Sequence, residues 1–114
     1  MLTQGLACLP DPKERLRYLW GDWGLRLPMA SAILTVLYPD DFTIYDTRVC
    51  DAIKGFHSTG SRSDFERLWA EYVDFRAAVE QAAPKALSLR DKDRYLWGKS
   101  FYDQLRRDVE REFS

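Results

Sequence analysis

The chain has 114 residues, the length of one average domain. Apolar residues make up 46% and aromatics 14%, enough for a core built without disulfides or metal. Lys and Arg number 17 against 18 Asp and Glu, and the net charge of −1 excludes a polycationic nucleic-acid coat and an acidic tail protein.

Met1 to Leu9 lack the basic start and long apolar stretch of a secretory signal. Pro10, Asp11 and Pro12 close this short opening segment. Asp11 is placed to cap the next helix, with Pro12 in its first turn and Glu14 three residues after the cap. That helix carries Leu16, Leu19 and Trp20 at helical spacing and stops at Gly21. A tight connection, Gly21 to Arg26, leads into a second helix from about Leu27 to Tyr38. There Met29, Ala30, Ala32, Ile33, Leu34, Val36 and Leu37 cover most of the circumference, the pattern of a central, buried helix. The longest apolar run, Ala30 to Tyr38, is interrupted by Ser31 and Thr35 and is far short of the roughly 18 residues of a membrane span. A soluble, cytoplasmic protein with no membrane partner is the expectation.

Pro39 ends the second helix, and Asp40 to Tyr45 form an extended link. A short helix follows over about Asp46 to Lys54, with Val49, Cys50 and Ile53 inward. Gly55 to Arg62 is Gly/Ser-rich and reads as a flexible loop. Ser63 with Glu66 suggests a capping box for a helix over about 63–82, whose stripe is Phe65, Leu68, Trp69, Tyr72, Phe75 and Val79. After Pro84, Ser88 with Asp91 marks a last helix over about 88–112. Its expected core positions are Leu89, Leu96, Trp97, Phe101, Leu105 and Val109. The terminal run from Arg106 to Glu112 mixes its signs and reads as a solvated face with (i, i+4) pairs. No segment alternates like a strand. The expectation is an all-α, compact single domain spanning 1–114, with five or six helices.

Cys8 and Cys50 are the only cysteines and His57 is the only histidine, so neither a zinc site nor a disulfide framework is expected. No GxSxG elbow accompanies His57 to suggest a Ser-His-Asp triad.

The informative stretch is Trp20 to Ile53. Two helices joined by a short glycine turn make a helical hairpin. The backbone N–H groups at the start of its second helix have no helical partners and attract phosphate. Asp46 opens the following helix, where a carboxylate is also the ordinary cap. This arrangement resembles the helix-hairpin-helix superfamily of base-excision DNA glycosylases, whose hairpin reads Leu-Pro-Gly-Val-Gly-x-x-x-Ala. In that family a catalytic aspartate follows the alanine at a distance of roughly sixteen residues. Here Gly24, Leu25 and Arg26 occupy the Gly-Val-Gly positions, Ala30 is the alanine, and Asp46 comes 16 residues later in Tyr45-Asp46-Thr47-Arg48-Val49.

The resemblance implies double-stranded DNA as partner, with Gly24, Leu25 and Arg26 on the phosphate backbone. Asp46 is then the catalytic carboxylate beside a flipped nucleotide, and Arg48 either pairs with Asp46 or faces the DNA. A basic patch from Arg15, Arg17, Arg26, Arg48 and Arg62 would support it. Four departures stand out. Arg26 replaces the second hairpin glycine, and Pro28 stands where bifunctional members carry a Schiff-base lysine, which excludes lyase chemistry there. No four-cysteine cluster signature follows, so no iron–sulfur centre or other cofactor is implied. About 20 residues precede the hairpin, so the second wall of a glycosylase cleft would come from a second copy or a partner chain. The alternative reading is a non-catalytic helical protein-interaction domain, a remnant of that fold held to its partner by exposed apolar surface.

Overall fold

The computed structural model describes residues 2–9 and 11–113; Pro10 and the two terminal residues lie outside the described residues. Among the described residues there are six α-helices and no strand. They are α1 (Leu2–Ala7), α2 (Pro12–Arg17), α3 (Leu27–Leu37), α4 (Thr47–Ile53), α5 (Phe65–Ala82) and α6 (Leu89–Phe113). A wide π turn over Tyr18–Asp22 extends α2, and a single 3-10 turn over Thr59–Ser61 interrupts the loop before α5. The opening segment, read from sequence only as a lead-in, is itself helical.

The caps explain where the helices begin. Asp11 accepts a bond from the Glu14 N–H at 2.9 Å, and Ser88 Oγ accepts one from the Asp91 N–H at 3.2 Å. At α5 the expected capping box does not form. Asp64, not Ser63, is the cap and accepts from the Glu66 N–H at 3.3 Å. Glu66 cannot reach back to a cap because its carboxylate is engaged by Lys13 at 2.8 Å and Arg17 at 2.7 Å, which clip α2 to α5. At the turn into α3, Gly24 has φ +67°, a conformation that glycine takes without the steric cost a Cβ brings. Arg26, by contrast, has an ordinary φ of −72°. The arginine at the second hairpin-glycine position therefore carries no backbone strain.

The core joins Leu6, Leu16, Leu19, Leu27, Ala30, Leu34, Phe42, Val49, Leu68, Tyr72, Phe75 and Val79. Leu34 is fully buried, but the expectation of a helix enclosed on every side is not met. Ile33 is only half-buried, and Met29 and Val36 are 57% and 78% exposed. Among the described residues no element covers that side of α3, so its apolar character continues past the core boundary onto the surface.

A second correction concerns α6. Leu89 and Leu96 are buried, whereas Trp97, Phe101, Leu105 and Val109 are about half exposed. The reason is direction. At about 100° per residue Leu105 and Val109 fall opposite Leu89 and Leu96, with Trp97 and Phe101 on the flank between, so these side chains turn away from the core along a helix of 25 residues. From Phe101 to Glu112 every side chain except Asp108 is exposed, and the molecule's long axis reaches 55 Å.

The loop that its Gly and Ser content marks as flexible is tethered. Thr59 is buried, and its hydroxyl donates to Glu71 at 2.8 Å; Arg62 pairs with the same carboxylate at 2.9 Å. No helix among the described residues is long and apolar enough to cross a membrane.

Candidate functional site

The link before α4 is extended and partly buried, so its backbone groups need partners that no sheet supplies. Side chains provide them. Tyr72 of α5 accepts from the Thr43 N–H at 3.0 Å and donates its hydroxyl to the Thr43 carbonyl at 2.6 Å. Ser31 of α3 accepts from the Tyr45 N–H at 2.8 Å. The Tyr45 hydroxyl in turn donates to the Phe56 carbonyl and accepts from the Gly60 N–H at 3.2 Å. These bonds fix the backbone one residue before Asp46.

Asp46 is the cap of α4. One carboxylate oxygen, Oδ1, accepts from the Val49 N–H at 2.8 Å, and among the described residues no cation pairs with the other oxygen. The residue also borders two recesses. The first, about 300 Å³, is lined by Ile44, Asp46, Arg90, Asp93, Arg94 and Trp97. The second, about 350 Å³, crosses the start of α4 between Thr47, Arg48, Asp51 and Trp97. Asp46 and Trp97 belong to both.

Asp93 is the member of this group that sequence reasoning missed. It is 3% exposed and pairs with Arg90 at 2.6 Å. Burial pushes its carboxyl up to about 6, with the Asp46 charge adding to the rise and Arg90 opposing it. A carboxyl at that level can give or take a proton near neutral pH. Its signal was in the sequence: Asp93 stands four residues after Leu89 and three before Leu96, on the helix's buried face. The surrounding alternation of charges hid it.

Arg48 does not pair with Asp46. Its guanidinium lies 5.3 Å from the Trp97 ring and 5.3 Å from the Phe101 ring. Those two rings stack on each other at 5.6 Å with planes 7° apart. A cation over an aromatic pair is favoured over a helical ion pair because the ring faces supply a negative surface without desolvating a carboxylate.

Of the residues singled out from sequence, the structure brings together Asp46 and Arg48. Gly24, Leu25 and Arg26 lie at the α2–α3 turn and line neither recess beside Asp46. The expected basic patch is also thinner than the arginine count suggests. Arg17 and Arg62 are paired with carboxylates, and Arg15 lies over the Tyr38 ring at 3.9 Å. Cys8 and Cys50 are both free, and burial pushes the Cys50 thiol up to about 11, far from a reactive thiolate. Among the described residues no group of His, Cys, Asp and Glu side chains assembles a metal site.

The fold and the recess define a helical protein with a carboxylate pair, an arginine pair and an aromatic wall at one surface. Comparison with family models, curated proteins and solved structures gives no match to this chain.

Proposed function

We propose that this chain is a DNA-binding module related to base-excision DNA glycosylases, receiving an extruded nucleotide in the recess beside Asp46. One observation carries the reading: Asp46 caps α4 with one oxygen, and the residue lines a recess walled by Trp97 and buried Asp93. An aromatic face suits stacking of an unpaired base, and arginines suit the flanking phosphates. The resemblance of Gly24 to Ala30 and of Asp46 to the glycosylase hairpin and aspartate points the same way.

In this reading the bond between the sugar C1′ and the base nitrogen breaks, and its electron pair leaves with the base. Asp93 supplies the proton that neutralises the departing nitrogen. The Asp46 carboxylate stabilises the positive charge left on the sugar and takes a proton from the water that attacks C1′. No lysine stands where a lyase needs one, so the base is released and the sugar stays in the strand as an abasic site, with no strand cleavage by that route.

The test is base release from damaged duplexes, with binding to intact, mismatched and abasic DNA measured in parallel. Binding is expected to weaken with salt with a logarithmic slope of about −2 to −4, since few phosphates are contacted. Asp46→Asn is expected to abolish release while binding persists. Release that survives the substitution removes Asp46 from the chemistry. Absence of binding to every DNA at low salt removes the DNA reading altogether. The interaction-domain alternative is favoured by one separate feature, the exposed apolar side of α6.

A further inference from the structure

Helix α6 has two apolar sides. Leu89 and Leu96 point into the core, and Tyr95, Gly98, Tyr102, Leu105 and Val109 recur at alternating spacings of three and four on the opposite side. That second series is the seam pattern of a helix that packs against another helix. Among the described residues nothing covers it: Tyr95 is 43% exposed, Tyr102 61%, Leu105 51% and Val109 48%. With Trp97 and Phe101 at its edge, the stripe exposes on the order of 600 Å² of large side chains, judged from the usual size of such residues. The largest apolar patch on an ordinary monomer is about 300–600 Å². The area approaches the roughly 800 Å² per partner of a stable interface once the flanking charged stems are included.

Gly98 gives the stripe its shape. A glycine in the middle of a helix weakens it, and a Cβ at Gly98 would meet nothing within 4 Å. No packing inside the chain requires the missing side chain; a second helix lying close at that point would. The stripe's own shape says which helix. Leu105 and Gly98 stand the same number of residues either side of its midpoint between Phe101 and Tyr102, so the stripe fits a reversed copy of itself, bulk against notch.

We infer that the outer side of α6 is a docking surface for a second copy of this chain, packed antiparallel about a two-fold axis between Phe101 and Tyr102. Leu105 of each copy then fills the notch left by Gly98 of the other. The inference does not rest on the DNA reading, because Gly98, Tyr102, Leu105 and Val109 line neither recess beside Asp46.

Sedimentation of the full chain from micromolar to millimolar concentration tests it. The expected result is a species of twice the 13.4 kDa chain mass. Leu105→Glu and Gly98→Gln are each expected to raise the dissociation constant by about tenfold or more, about 1.4 kcal/mol per tenfold. Both positions are exposed, and circular dichroism is expected to show the helical fold intact in each variant. Val36→Glu, on the exposed side of α3, is expected to leave the dimer unchanged. Orientation is read by mixing Arg94→Cys and Val109→Cys chains in a Cys8→Ser background, where the mixed disulfide is expected to exceed either like-with-like product. A monomer at every concentration assigns the stripe to a different partner and overturns the proposal. So does a dimer that resists Leu105→Glu, a dimer broken by Val36→Glu, or a preponderance of like-with-like disulfides.

Discussion

The two sides of α6 carry the same kind of apolar residue and meet opposite fates. One side, with Leu89, Asp93 and Leu96, lies against the core and buries two leucines and even a carboxylate. The other, with Tyr95, Tyr102, Leu105 and Val109, recurs at helical spacing and stands about half exposed. Periodicity thus fixes which residues share a side of a helix, while the packing of neighbouring helices decides which side becomes core. An apolar side left uncovered is surface available for a partner.

The sharpest way to break this comparison is to truncate one leucine from each kind of environment. Leu34, fully buried in α3, is expected to cost about 2–5 kcal/mol on replacement by alanine, from lost transfer energy and the cavity left behind. Leu105, half exposed in distal α6, is expected to change the stability of the dilute monomer by less than about 0.5 kcal/mol. Urea denaturation at low protein concentration reads both. Similar losses at the two positions would show that the outer side of α6 packs against the core after all.

The buried carboxylate sharpens the contrast from the other direction. Asp93 is held at about 6 against an ordinary 3.8, so between about pH 4 and pH 6 the folded chain keeps a proton that the unfolded chain has released. Its contribution to stability is complete below about pH 4 and is lost as pH rises through 6. A shift of this size corresponds to at most about 3 kcal/mol. Asp93→Asn, which keeps the shape of the neutral acid, is therefore expected to flatten the stability profile between pH 4 and pH 7. Parallel curves for wild type and Asp93→Asn would mean that Arg90 keeps the carboxylate ionised throughout.

The elements were legible in the sequence wherever the signal was local. Asp11, Ser88 and Asp46 announce their helices because a cap depends on a few neighbouring residues, and Pro39 and Pro84 stop theirs for the same reason. The all-α class followed from spacing alone. What could not be read was contact between distant segments. Nothing near Ser63 says that Glu66 will be taken by Lys13 and Arg17 from α2, which passes the cap to Asp64. Similarly, Tyr72 looks like any core aromatic until its hydroxyl is seen holding Thr43. The candidate site divides along the same line: Asp46 is a local feature, whereas Asp93, Arg90 and Trp97 reach it only through the packing of α6 on α4.

The smallest expected effect falls on Asp46, where cap and chemistry share one side chain. A cap needs only an oxygen to accept from the Val49 N–H, and asparagine provides one. Asp46→Asn is therefore expected to change stability by only a few tenths of a kcal/mol. Asp46→Ala removes the acceptor and is expected to cost about 1 kcal/mol. Thermal unfolding distinguishes the two values. The asparagine variant also removes the negative charge whose proximity raises the Asp93 carboxyl, so Asp93 should titrate below wild type by carbon-13 NMR of its side chain. A stable Asp46→Asn protein with an unmoved Asp93 would mean that the two carboxylates do not share one electrostatic environment. Asp46 would then be a cap and nothing more, and the recess beside it would lose the paired acid and base on which glycosidic chemistry depends.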